Sequence, residues 1–409
     1  MEKVRGSIYL LCIFLCLISL SFSLIAPPIQ RDFFYSASYI ALIGMLLERK
    51  NIKIKSDSIF YSIILIGIIK VVWTVFFYGY DDFGHGNVQI DAGKKLIVGG
   101  LLAMYINQYL KTCSYKNFNY QRALLFVFSL AFVFTTAYAF YQILNGMERV
   151  EFSTNRATIA AYIYSTLSLL LVYLFFINEM SFKYRVFFSF LVILISFIVI
   201  MMTGTRAVMF SYPFLVVFVF LFHFRRVSFN FFVIFSCLFL LACYISYGGF
   251  IKPKIEQTKK ELQLYNQGID SSSLGSRFSL WVVGGEIFLS HPYGNTLENR
   301  RKQAEEKILD APENQTALIY IDTHLHNELL ESASLQGVVG LLSVLAFYLS
   351  MLIRAIRRRL TPLLIVSLCM IIYGTTDVLL ISPESIMFFI LTLAFFSRFP
   401  VSMRPQVTE

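Results

Sequence analysis

Charge is what this chain has least of. Asp, Glu, Lys and Arg together make up 15% of its 409 residues, where an ordinary soluble domain carries about a quarter. With 57% of positions hydrophobic, a water-soluble fold is excluded, because a globule of this size has too little interior to hide so much apolar surface. Cysteine is sparse too. Cys12, Cys16, Cys113, Cys237, Cys243 and Cys369 lie in or beside apolar runs and none falls in the long polar stretch near 250 to 336, so no disulfide framework is implied. Nucleotide-handling signatures are absent: there is no Walker loop, no Gly-rich dinucleotide turn and no Asp-x-Asp pair for a metal-held nucleotide sugar. Energy for any reaction must therefore come from a substrate that is already activated in the membrane. No repeat or low-complexity region is present.

What the chain does have is apolar runs of spanning length and aromatic side chains, 17% of positions, which suit helices packed in lipid with rings near the headgroups. Runs at about 7–25, 33–47, 58–78, 95–110, 123–144, 157–177, 186–203, 207–224, 230–248, 337–353, 362–381 and 384–398 predict an all-α polytopic membrane protein of about 12 transmembrane helices. The second and last are short, so either could be re-entrant. The run from Ile8 to Ile25 is longer than the roughly 7–15 residues of a signal-peptide core and reads as a retained first helix.

The formal charge of +10 raises the suspicion of a nucleic-acid surface, but the basic residues fall in short gaps between the runs. With the amino terminus cytoplasmic, nineteen Lys and Arg collect in inside gaps against six in the short outside gaps, which orients the chain by the positive-inside rule. Both termini are then cytoplasmic, and the expected organisation is helices 1–9 over 1–248, a large loop on the far side over 249–336, and helices 10–12 with a tail over 337–409. Loops of that length usually carry function, and acceptor choice is expected to reside in this one. Within it, Lys252 to Tyr265 and Arg300 to Leu309 predict charged helices, and Phe278 to Leu289 an amphipathic helix along the membrane surface. His291-Pro292-Tyr293-Gly294 ends that last helix.

Three polar groups sit where apolar helices meet the outside loops. Thr203-Gly204-Thr205-Arg206 is a tight turn that puts a guanidinium at the membrane edge, as a snorkelling anchor or as a functional cation. Ser273-Leu274-Gly275-Ser276-Arg277 precedes the surface helix. There Gly275 permits a sharp bend, and the helix-start N–H groups beside Arg277 make either an anion pocket or an ordinary cap with a solvated Arg. Asp322-Thr323-His324-Leu325-His326-Asn327-Glu328 leads into Leu329 to Gln336-Gly337, with Asp322 or Thr323 as cap and His324 and His326 in the first turn. His-x-His beside acids suggests zinc, but no third ligand cluster of convincing spacing accompanies it. The remaining readings are structural histidines or a general base. Lys70 and Asp377 lie in apolar runs, where charges seldom stand unpaired, and so form a buried ion pair or line a site. Two arginines and a histidine suit transfer from a lipid diphosphate: guanidinium forks neutralise the leaving diphosphate while an imidazole takes the proton of an incoming sugar hydroxyl.

On Thr203-Gly204-Thr205-Arg206-Ala207, Ser273 to Arg277, and above all His324-Leu325-His326-Asn327-Glu328 running into Ser334-Leu335-Gln336-Gly337, the chain resembles the O-antigen ligases of Gram-negative bacteria, within the wider group of membrane ligases and polymerases for bacterial polysaccharides. Arg149-Val150-Glu151-Phe152 and Gly374-Thr375-Thr376-Asp377 also look like enterobacterial members. The resemblance implies a GT-C-like architecture in the inner membrane. It implies transfer of O-antigen polysaccharide from undecaprenyl diphosphate onto a sugar of the lipid A core, in the periplasm, without ATP, metal or other cofactor, and with inversion of the anomeric centre. By motif match, Arg206 and Arg277 would hold the diphosphate and His326 would be the base, with His324, Asn327, Gly275, Arg149 and Asp377 in support. Lys70 fits no family motif. An O-antigen polymerase, with a lipid-linked acceptor, often carries Arg, ten residues, then Gly. Here Arg149, Arg206 and Arg277 are followed at that spacing by Ala160, Val217 and Phe288, which favours the ligase. A lipid-linked glycan transporter is the rival of another class, but no inverted halves or paired broken helices are evident.

Overall fold

The computed structural model describes residues 2–48, 57–78, 86–112, 120–223, 244 and 247–398, and among these every regular element is a helix. Apart from turns of five residues or fewer, they are in chain order α1 (Glu2–Ser21), α2 (Pro27–Leu47), α3 (Ser58–Tyr78), α4 (Asn87–Thr112), α5 (Tyr120–Leu144), α6 (Ala157–Ile177), α7 (Phe182–Thr203) and α8 (Arg206–His223). Then come α9 (Lys252–Asn266), α10 (Gly275–Ser290), α11 (Leu297–Asp310), α12 (Glu328–Arg358), α13 (Thr361–Gly374) and α14 (Pro383–Phe396). The expected span 230–248 lies almost wholly outside the described residues. Five helices, α3, α5, α6, α7 and α12, are long and apolar enough to cross a membrane. Phe76, Phe134, Phe187, Phe214 and Leu342 stand exposed on the bundle, apolar surface that only lipid would tolerate at this density. The expectation of a helical, polytopic membrane protein holds.

The bundle is built around α6, which is buried along nearly its whole length and packs against α5, α7, α8, α13 and α14. Its two ends are distinguishable. At one, Asp57 ahead of α3 pairs with Arg354 near the end of α12 and, at 3.1 Å, with Arg398 just after α14. At the other, Trp73 near the end of α3 donates from Nε1 to Asn295 O at 3.1 Å, and Ser382 ahead of α14 accepts from Arg156 at 2.8 Å. Thus α14, though only 14 residues long, runs between the same two ends as α3. Its buried side chains face protein, so a length of about 21 Å need not match the bilayer core.

Segment 249–336 folds on the second end. The expected charged helices form as α9 and α11, and the amphipathic one as α10. Leu280, Val283, Ile287, Ala304, Ile308, Ala317, Ile321 and Leu325 give this region a small core of its own. It is stitched to the bundle where α12 breaks. Gly337 has φ 67 and ψ −156, a conformation open essentially to glycine alone, and a Cβ there would collide with Pro292 O. Val338 N donates to Pro292 O and Asn295 N to Leu335 O, each at 2.8 Å. The His291–Gly294 turn therefore ends α10 and also braces the break in α12, a job that its spacing in the chain did not reveal.

The run expected at 362–381 is helical only to Gly374. Residues 378–382 are buried without being helical, which is tolerable only if their backbone donors find partners inside the protein. Glu328 supplies them: its Oε2 accepts from Leu379 N at 2.7 Å and Leu380 N at 2.8 Å.

Candidate functional site

That unwound stretch delivers Asp377 to the histidine turn. Asp377 is fully buried, and its Oδ1 lies 3.4 Å from His326 Nδ1, 3.6 Å from His324 Nε2 and 3.8 Å from Arg156 Nη2. Burial pushes this carboxyl up, but its neighbours His326, His324 and the Arg156 guanidinium outweigh it and hold the group well below the usual carboxylate range. The two imidazoles meet edge to face with centroids 4.2 Å apart.

Arg156 Nη2 lies 3.1 Å from His324 Nε2. A guanidinium can only donate, so His324 Nε2 is the acceptor and His324 is neutral. Burial, the largest influence, lowers its pKa despite the pull of Asp377. Arg156 was not among the residues assigned a role above. It is the residue ahead of the central helix α6, and the signal was its place in a gap expected to lie outside, where the positive-inside rule disfavours Arg.

The cap differs from expectation. Asn327 starts α12, its Oδ1 accepting from Leu329 N at 3.0 Å and Leu330 N at 3.2 Å, while its Nδ2 reaches Thr375 O at 3.4 Å. Asp322 instead pairs with Arg301. His324 and His326 consequently precede the helix, and His326 takes φ 50. Lys70 and Asp377 are not partners. Lys70 Nζ donates to Gln89 Oε1 at 2.8 Å, and Asp377 belongs to the histidines.

Around the α7–α8 turn the structure gathers cations. Arg149 Nε donates to Thr203 O at 2.8 Å, and Val150 N to Met202 O. Arg206 Nη1 reaches Glu261 Oε2 at 2.8 Å and Thr258 Oγ1 at 3.2 Å. Lys254 stands near the same turn, its ammonium held below the usual range by burial and then by Arg149 and Arg206. The expected anion pocket ahead of α10 already has occupants: Leu274 N donates to Glu261 Oε2 at 3.1 Å, and Gly275 N to Ser272 Oγ at 3.0 Å. Glu261 thus sits between Arg206 and the start of α10, where an anion was expected. Gly275 is needed for close approach and not for a bend, since a Cβ would lie 2.8 Å from Asp270 O. Arg277, half-buried, makes no hydrogen bond or ion pair with the described residues. It acts electrostatically on the Tyr162 hydroxyl, as do Asp377 and Arg156, and that hydroxyl lies 3.1 Å from Thr376 Oγ1.

His324, His326 and Asp377 offer ligand atoms within 4.8 Å of one another, the third ligand that the sequence spacing did not supply. Against a metal, Arg156 already holds the His324 Nε2 lone pair and places a permanent cation beside the cluster.

Fold and site define a helical membrane protein with a buried histidine–aspartate cluster and a turn rich in cations at one end of its bundle. Comparison narrows the class. Residues 190–345 match the family model described as O-Antigen ligase, a stretch that contains all three motifs carrying the resemblance. Over 389 residues the chain is 22% identical to a protein of Escherichia coli (strain K12) named O-antigen ligase, spanning 90% of this chain and 87% of that one. The likeness read from the motifs is borne out.

Proposed function

We propose that this protein is an O-antigen ligase of the bacterial inner membrane, with both termini cytoplasmic and twelve GT-C-like spans. It moves O-antigen polysaccharide from undecaprenyl diphosphate to a sugar hydroxyl of the lipid A-core oligosaccharide at the periplasmic face, without metal or ATP. The observation that carries the reading is the His326–Asp377 contact, with Arg277 half-buried and unpaired among the described residues. Asp377 favours the His326 tautomer with its proton on Nδ1, leaving the Nε2 lone pair free to take the proton of the acceptor hydroxyl. The acceptor oxygen then bonds to the anomeric carbon from the side opposite the diphosphate. The glycosidic C–O bond breaks, its electrons leave with undecaprenyl diphosphate, and the configuration inverts. Arg277 and Arg206 neutralise the leaving diphosphate, which takes the place of the Glu261 carboxylate on Arg206. Arg156 balances Asp377 while His326 is neutral.

The test is transfer by purified protein from lipid-linked O-antigen to rough lipopolysaccharide, with chelator present and no nucleotide. In a strain lacking the enzyme, the His326→Ala variant should leave bare core and intact lipid-linked polymer on the periplasmic side. Polymer retained on the cytoplasmic side would instead mark a transporter, and elongation of a lipid-linked acceptor a polymerase.

A further inference from the structure

The site is assembled from two stretches of backbone that no helix holds: the turn ahead of α12, with both histidines, and the unwound segment after α13, with Asp377. His326 moreover has φ 50, a left-handed conformation that a side chain other than glycine keeps only when its surroundings impose it. Those surroundings include one turn of α12. Glu331 Oε2 accepts from Leu325 N and from Arg300 Nη1, each at 2.9 Å, so it grips the backbone between the two histidines. Leu325 is pinned from its other side as well, its carbonyl accepting from Trp281 Nε1 at 3.1 Å and its buried side chain lying over Gly284. Three residues before Glu331, on the same face of the helix, Glu328 grips the backbone just after Asp377 through Leu379 N and Leu380 N.

Both glutamates are buried, and two buried cations answer them: Arg300 bonds to Glu331, and Lys70 acts electrostatically on both carboxylates. Starting the helix does not require them, because Asn327 already caps it. Buried carboxylates are expensive to keep, so their presence at this turn calls for a role beyond capping.

We propose, resting on the ligase reading, that Glu328 and Glu331 are positioning residues which set the His326–Asp377 geometry, one from each side, without touching substrate. Neither bonds to Arg206 or Arg277, so donor binding is left to other elements. Lys70, outside every family motif, acquires a place here as a counter-charge to the pair.

Glu328→Asp and Glu331→Asp test this in the purified full-length chain. Aspartate keeps the charge that Lys70 and Arg300 balance, so the fold is preserved, but it draws the carboxylate back by one methylene. The expected result is kcat lower by about tenfold or more with donor KM within about twofold. Glu328→Gln, which keeps the reach and loses the charge, should retain most of kcat. Unchanged kcat in both aspartate variants overturns the proposal, as does a raised donor KM at unchanged kcat. A second measurement needs no reaction: the rates at which diethyl pyrocarbonate modifies His324 and His326, read by mass spectrometry, should shift severalfold in the aspartate variants. If the unmodified protein transfers no glycan, the ligase reading falls and these rates alone decide, unshifted rates overturning the positioning role and shifted rates supporting it.

Discussion

Each arginine of the site has a different employment. Arg206 is held by Glu261, Arg149 by a backbone carbonyl and Arg156 by His324 and Ser382, while Arg277 has no partner among the described residues. Among the described residues, Arg277 is therefore the arginine of the site that we propose receives the incoming diphosphate. Its replacement by Ala should cost about 2–4 kcal/mol in the transition state. Arg277→Lys should recover little of this, because a point charge cannot reproduce two parallel hydrogen bonds. Measured kcat/KM for the pair checks this, and a Lys variant near normal would exclude bidentate binding. His324 gives a pH prediction. Its folded pKa lies below the value of about 6.5 for a free imidazole, so the folded state resists protonation there. The stability this contributes is present above pH 6.5 and is lost as pH falls through the folded pKa. The melting temperature should drop on acidification from about pH 6.5, and His324→Gln should flatten that part of the curve. The corresponding loss for Asp377 belongs to the acid side of the ordinary carboxylate range, well separated from it.

At the scale of elements, the informative places are those where an apolar run does not become one helix. The hydropathy of 362–381 reads as continuous, yet α13 stops at Gly374, and the donors of Leu379 and Leu380 beyond it are claimed by Glu328, 51 and 52 positions earlier. The expected junction of the polar loop and the tenth span, by contrast, falls where α12 breaks, at Gly337. Gly337→Ala should destabilise the protein by about 3 kcal/mol or more, since it combines a disfavoured backbone conformation with a collision against Pro292 O. The melting temperature in detergent measures this. Gly285, whose Cβ would meet nothing, supplies the control, and its Ala variant should melt close to the parent.

For the whole molecule, the decisive property is which end of the bundle faces the periplasm. The proposed orientation puts Tyr293, which is 95% exposed, on the outside. The described cysteines Cys12, Cys16 and Cys369 are buried and should contribute little background. Cysteine placed at 293 should react with a membrane-impermeant maleimide in intact spheroplasts, and cysteine placed at Arg357 only after lysis. The opposite labelling pattern would put the histidine–aspartate cluster on the cytoplasmic side and end the ligase reading.

By itself the amino-acid order determined the helical membrane class, several of its long apolar helices, the helices of the polar segment and three of the motifs. These are properties of local hydropathy and of short contiguous strings, which act over a few turns of chain. Only the tertiary structure decided which polar groups meet. The joining of Asp377 to His326, the entry of Arg156, the capture of Arg206 by Glu261 and the grip of Glu328 on the segment after Asp377 all link residues that are dozens to hundreds of positions apart. No local pattern encodes such pairs, because a buried charge finds its partner through packing in three dimensions and not through spacing along the chain.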